Sequence, residues 1–501
     1  MRSPMTRPNR HRIQRQIVEL AVGAAAQGTA VHQELARPFW DRAVPELEAV
    51  FDRAAGPDQL LRLDRLELDL GTIGGGEWPE EFRRKLIAEL ARRLAQFTAA
   101  SEPDDEDRPG NRRRTEAWRQ FLFFLAHGRL PWWGAAPEER WNELLPASSD
   151  ADWSALRETV SSNLDARSRL VYSVADEFLE RAIGDWSGVP DSARVLEQLT
   201  PKRLGADARR RWRRGFWITV LEWVATGGFR SPRGGSQLVR DLMTLRQIYD
   251  PEIAPAAWRR SPDGDGASGD RIRAVEDGDL PEPWRGWSLS HGDAAPFERA
   301  ATEPRAGAGE LKSRAPMVST PRARAQEKTR REVDEEAIYL GGAGVVLVHP
   351  FLEQLFRERE LLEGRGFRGL EARNRAVHLI GFITFGRVEV PEYDLALAKV
   401  LCGAALEEPL EPVPLEDDDL AACDALLRAV LEHWTALRSN SPGWMREQFF
   451  LREGKLKTVD SGRLLTIERR AQDVLLARLP WGCGVVALPW LTDRIFVHWI
   501  D

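Results

Sequence analysis

Cysteine is scarce: three in 501 residues, at Cys402, Cys423 and Cys483. An odd number of widely spaced thiols excludes a disulfide framework and implies a reducing compartment. With no CxxC or HxxxH pair, a structural metal site is not expected either. No run of 18 apolar residues occurs, so no membrane span is expected. The N-terminal MRSPMTRPNRHR is basic but is followed by no apolar core of a secretory signal. Net charge is small, −7 despite 30% charged residues, which argues against a general nucleic-acid binder with a clustered basic face. The Arg-rich run Arg209 to Arg214 is interleaved with Trp212, Phe216 and Trp217, as on a solvated helix face whose other side packs.

Tryptophan is abundant, with 19 residues, several beside Pro or Gly as in Pro131-Trp132-Trp133, Pro480-Trp481-Gly482 and Pro489-Trp490. Each ring buries a large area and carries one N–H to satisfy. Core packing is the favoured role, and docking anchors on an assembly surface are the alternative. Apolar content of 43% over this length supports a sizeable core and two to four domains.

The patterning predicts an α+β chain, mainly α. Residues 10–98 read as a βαβα unit. Ile17 to Val22 is a short strand. Val31 to Phe51 has helical period with kinks at Pro38 and Pro45. Leu61 to Leu70 alternates apolar and charged residues like a half-buried strand with a bulge. Phe82, Leu86, Leu90, Leu94 and Phe97 mark an amphipathic helix. Residues 99–114 form a polar break, and 115–258 a central helical region. Residues 259–333, rich in Pro, Gly, Asp, Arg and Ser, read as a disordered linker. Residues 334–501 read as a helical domain ending in a small sheet. Pro350 starts a helix there. The acidic turn Glu416 to Asp419 suits the N-terminal dipole of a helix running to His433. Leu464 to Ile467, Val485 to Leu488 and Ile495 to Trp499 are short strands flanking a helix from Asp473 to Leu479. Val485–Leu488 is expected to pair with Ile495–Trp499, and Leu61–Leu70 with Ile17–Val22.

One pattern recurs: FLAHG ending at Gly128, WVATG at Gly227 and FITFG at Gly386. In each, Gly closes an apolar helix and an apolar residue follows within two positions, as a left-handed C′ cap requires. The three are either copies of one helical unit or coincident helix ends.

No constellation for turnover emerges. Gly341, Gly342 and Gly344 lack the GxxxxGKS of a phosphate loop and the third Gly of GxGxxG. His349 and His378 sit in apolar segments, as structural histidines do. Cys483 and His498 lack a third partner. In the carboxylate trio Asp64, Glu67 and Asp69, the last two alternate with leucines and so face solvent. No cofactor, catalytic residue or metal ligand is assigned.

Two blocks carry a resemblance. The first is DRLELDLG at 64–71. The second is the C-terminal series GGAGVVLVHPFLEQLF (341–356), VHLIGFITFG (377–386), PEYDLALAKVLC (391–402), FFLREGKL (449–456), DVLLARLPW (473–481), LPW (488–490) and VHW (497–499). Together they resemble the contractile injection system tape measure family, found with extracellular, phage-tail-like injection machines. The signature and contact candidates on these blocks and the central helix are Asp64, Leu66, Leu70, Gly71, Gly128, Pro131, Trp132, His349, Pro350, Phe351, His378, Gly386, Glu453, Gly454, Leu479, Pro480, Trp481, Pro489 and Trp490. The resemblance implies a structural component that sets inner tube length. Its implied partners are the tube, baseplate or cap, and it would be cytoplasmic during assembly, with a place inside the released particle left open. The alternatives are an assembly factor, tube cap or cargo-handling adaptor of the same particle, and, more remotely, an unrelated cytoplasmic enzyme. A simple ruler wants one long uninterrupted helix, gaining about 1.5 Å per residue. The frequent Pro and Gly depart from that picture. Oligomeric state is left unassigned.

Overall fold

The computed structural model describes residues 37–54, most of 61–74, 77–100, 109–134, most of 141–249 and 337–499 apart from 438 and 439, with a few positions between 11 and 20. The linker reading of 259–333, and Asp64 itself, lie outside the described residues. Two compact units emerge. One comprises residues 1–119 and 132–134, the other 120–131 and 135–501.

In the first unit, helices α1 (Arg37–Ala54) and α2 (Trp78–Ala100) pack against each other. Helix α1 begins at Arg37, so Pro38 occupies the first turn, where a missing N–H costs nothing. Only Pro45 lies inside the helix. Phe82, Leu86, Leu90 and Leu94 of α2 are buried, as their spacing predicts. The 61–70 segment differs from expectation. Its alternation holds, with Leu66, Leu68 and Leu70 half-buried and Arg65, Glu67 and Asp69 exposed, yet it forms no β ladder. Its leucines lie instead along the helix pair. Leu68 and Leu70 pack on Phe39, Ala43, Phe82 and Leu86, and Leu63 and Leu66 on Val50, Leu90 and Leu94. Val18 to Leu20 is not paired either, so among the described residues the expected βαβα unit is two helices and an extended apolar strap. The polar break is also shorter than expected, because α2 runs to Ala100 and helix α3 (Pro109–His127) starts inside it.

In the second unit, the central residues form α4 (Asp150–Ser162), α5 (Leu164–Ser173), α6 (Asp176–Ser187), α7 (Ser192–Leu199), α8 (Ala206–Ala225) and α9 (Gly234–Tyr249). Helix α8 packs against α4, α5, α6 and α9. Its Trp212, Phe216 and Trp217 are fully buried. The indole N–H groups are satisfied: Trp212 donates to Thr200 Oγ1 at 2.8 Å, and Trp217 to Asp176 Oδ1 at 2.8 Å. Caps explain several boundaries. Ser149 and Asp152 form a capping box at α4, and the Asn163 side chain accepts from the Ala166 amide at α5.

The C-terminal residues add α10 (His349–Glu358), α11 (Leu370–Phe385), α12 (Ala396–Leu401) and α13 (Asp417–His433). Pro350 stands in the first turn of α10. Helix α11 is buried almost all round, against α12, α13 and the 3₁₀ turn Ala343–Val348. A five-stranded sheet follows the order β1-β4-β5-β7-β6, where β1 is Ile338–Leu340, β4 Gly454–Val459, β5 Gly462–Ile467, β6 Val485–Val486 and β7 Arg494–His498. Strands β5 and β7 are parallel and the other neighbours antiparallel. Val485 pairs with Phe496, as expected, although the strand stops at Val486. Strand β2 (Leu362–Glu363) and β3 (Gly366–Phe367) form a separate hairpin. The helix expected at Asp473–Leu479 is a 3₁₀ turn, Ala471–Arg478. The chain is thus mainly helical with a small C-terminal sheet.

Candidate functional site

The groups able to do chemistry concentrate on the stretch from Pro391 to Asp419, in the second unit. Glu392 receives Arg169 Nε at 3.1 Å and the Lys399 ammonium. All three side chains are nearly inaccessible, at 0% for Arg169, 1% for Lys399 and 7% for Glu392. The remaining donors are consumed by carbonyls. Arg169 Nη1 donates to Leu125 O at 2.7 Å and Nη2 to Glu407 O. Lys399 donates to Leu406 O at 3.1 Å and Glu408 O at 2.6 Å. Burial pushes the Lys399 ammonium below its ordinary range, and Glu392 opposes that shift.

A second cluster lies close by in the chain. Arg214 donates to Glu411 and, at 2.8 Å, to Pro412 O, with its guanidinium 5.1 Å from the Tyr172 ring. The run Arg209 to Arg214 is therefore divided. Arg209, Arg210 and Arg211 are exposed, whereas Arg214 is buried, because its position on α8 faces the Glu411 carboxylate and the Pro412 carbonyl. His378 Nε2 donates to Glu411 O at 3.1 Å, and burial holds its imidazole below the usual value, with that hydrogen bond opposing the shift.

At the head of α13, Asp419 closes a capping box with Glu416 and accepts from Arg359 at 2.8 Å and Arg375 at 2.6 Å. Burial raises its pKa, but hydrogen bonds from Arg375, the Glu416 amide and Arg359 outweigh that and hold it low. Glu416 and Asp419 are thus paired with arginines, and the acidic run stands at the start of the helix, as its sequence predicts.

The signature residues do not converge on one site. Leu66, Leu70 and Gly71 lie in the strap of the first unit. In that unit Trp132 is half-buried, and Pro131, in the second, is buried. Gly128, Gly227 and Gly386 all have φ near +70°, as the C′ reading requires. A Cβ on Gly128 would lie 2.5 Å from Leu406 O. His349 donates from Nδ1 to Val346 O at 2.9 Å. Pro350 is exposed beside Phe351, whose ring stands 5.1 Å from Trp481 and 5.8 Å from His433. Trp481 donates to Leu347 O at 2.9 Å, and Trp490 to Leu401 O at 2.8 Å. These tryptophans are packing anchors. Leu479 packs on the core, Pro480 is exposed and Pro489 half-buried. Glu453 pairs its backbone with Glu468, and Gly454 lies against Ala343. The glycine-rich turn serves packing as well, since a Cβ on Gly344 would stand 1.7 Å from Phe449 O.

Arg169, Glu392 and Lys399 were not singled out from sequence. Only the capping box at Asp419 had a local signal. The three cysteines are free, and burial pushes Cys423 up to about 12. Among the described residues, no group of three His, Cys, Asp or Glu side chains could hold a metal ion, and no helix is long and apolar enough to cross a membrane.

Arg169, Arg214, Lys399 and Asp419 are each paired with another part of the same chain. This is the chemistry of packing. Comparison with known proteins agrees in kind: the model of the contractile injection system tape measure protein family matches residues 10–499. The chain belongs to that family. No curated protein and no solved structure matches it.

Proposed function

We propose that this chain is a structural component of a contractile injection particle. It would act by contacts with other particle proteins, the inner tube, baseplate or cap, during assembly in the cytoplasm, with no turnover of its own. The observation that carries this reading is the family match over 10–499. The pairing of Arg169, Arg214, Lys399 and Asp419 within the chain supports it.

Within that role, two modes remain distinct. In the first, the chain sets inner tube length. In the second, it is an assembly factor, tube cap or cargo-handling adaptor. The longest described helix, α2, has 23 residues. At 1.5 Å per residue it spans only about 35 Å. That shortness, with the described residues of 120–131 and 135–499 in one compact unit, favours the second mode.

Electron microscopy of particles made with deletions inside 259–333 separates them, because those deletions spare the described core. A ruler predicts a tube that shortens in proportion to the residues removed, by at most about 3.5 Å each. An assembly factor or cap predicts tubes of normal length. Normal particles from a strain lacking the gene altogether would refute both modes.

A further inference from the structure

The described residues of 120–131 and 135–249 share one compact unit with 337–499, although residues 250–336 separate them in sequence. What joins them is the loop after α12, residues 402–416. Its backbone carbonyls are bonded from two sides. From the central helices, Arg169 reaches Glu407 O and Arg214 reaches Pro412 O. From the C-terminal helices, Lys399 reaches Leu406 O and Glu408 O, and His378 reaches Glu411 O. Two side-chain pairs follow the same seam, Arg169–Glu392 and Arg214–Glu411. Tyr393 adds an apolar anchor, with its ring centroid 5.5 Å from Phe124 and 5.9 Å from Trp141. Gly128 lets Leu406 O approach closer than any side chain would permit.

Backbone carbonyls of a folded chain take a donor from the protein or from water, so which donor each one takes reports what it is packed against. Were the two regions apart, Glu407 O and Pro412 O would lose their side-chain donors and Tyr393 its aromatic neighbours. Burial of the rings supplies attraction, while the fixed cations and carbonyls set the register.

We propose that the 402–416 loop is a clasp that binds the central helices to the C-terminal region non-covalently, so that the two stay together without a continuous chain between them. The partner that fits the clasp is the face of residues 120–249 bearing Phe124, Gly128, Arg169 and Arg214.

The test uses the full chain with a specific protease site placed at 262–270. After cutting, the two pieces should elute together in a 1:1 ratio, at the size of the uncut 56.6 kDa chain. Separation or precipitation of the pieces would overturn the proposal. In the cut protein, Arg214→Gln should weaken association roughly tenfold or more, while uncut Arg214→Gln keeps its helical circular dichroism and elution. Should that variant not fold, Tyr393→Leu must give the same separation. Arg210→Gln, on the exposed face of the same helix and paired with Asp207, should leave co-elution unchanged. Cut Arg214→Gln or Tyr393→Leu protein that associates as tightly as the parent would also overturn the clasp.

Discussion

Ion pairs in the first unit lie at the surface, whereas the second unit has, beside surface pairs such as Arg210–Asp207 and Arg357–Glu353, a set sealed from water. Along α1 and α2, Arg83 meets Glu80 and Glu46, Lys85 meets Glu81 and Arg92 meets Glu89, and most of these side chains keep a quarter to a half of their surface in water. In the second unit Arg169, Lys399, Asp419 and Arg452 are essentially inaccessible. Exposed pairs gain little, because water and salt compete for both partners. Buried pairs need not add net stability over an apolar replacement, but breaking one strands a charge. The first unit is therefore held by leucine and phenylalanine packing with charges as a solvated coat. The second depends on a few charges, each with a specific partner.

The largest effect should follow from removing the carboxylate that two buried cations share. Glu392→Gln leaves Arg169 and Lys399 facing carbonyls with no negative charge. The second unit should lose about 3–5 kcal/mol. Hydrogen exchange of the α5 and α12 amides reads this directly. A loss under about 1 kcal/mol would mean that water reaches these cations and that the contrast between the units is one of degree.

Asp394 gives a smaller and pH-dependent effect. Burial raises its pKa to about 6, with the Arg387 guanidinium 2.7 Å away opposing the shift. A carboxyl whose folded pKa exceeds its unfolded value of 3.8 is tolerated fully at low pH. It becomes destabilising as pH rises from about 4 to about 6. Asp394→Asn should thus gain on the parent across that window, by about 3 kcal/mol at most, and hold a constant advantage above it. A difference that does not vary with pH would remove Asp394 from the set of strained buried charges.

Much of the fold was legible locally. Pro350 and the 416–419 acidic turn mark helix starts because caps are short-range devices. The three C′ glycines were legible for the same reason. The alternation of 61–70 reported correctly which side chains face inward, but a period of two does not say whether the inward face meets a strand or a helix pair. The buried charges were not legible. Arg169 sits among ordinary helical residues, and its carboxylate partner lies 223 positions away. Nothing within a turn of Arg169 distinguishes it from the exposed arginines at 209 to 211. Strand β4 did carry a signal, Leu456 buried between the half-exposed Lys455 and Lys457, and it went unread as a strand.

Packing of the strap offers a third test, on the first unit. Leu68 touches both apolar clusters of the α1–α2 pair. Its side chain is only half-buried, so Leu68→Ala should cost about 1 kcal/mol. The loss should appear as faster amide exchange in α1 and α2, with the second unit unchanged. If exchange in α1 and α2 does not respond, the segment does not hold the helices together.

The smallest effect is the other half of the comparison. Arg92 is 52% exposed and bonds Glu89 three residues earlier on α2, lowering the Glu89 pKa chiefly through that hydrogen bond. Holding two long side chains in one geometry costs rotamer freedom that nearly offsets the attraction. Glu89 would also keep Arg93, 3.3 Å away. Arg92→Ala should therefore leave the unfolding midpoint of the first unit where it is, in dilute buffer and in 1 M salt alike. The Glu392→Gln loss should persist undiminished at that salt concentration, because mobile ions do not reach a pair sealed among carbonyls. A shift for Arg92→Ala as large as that for Glu392→Gln would mean that exposure does not decide what a charge is worth in this protein.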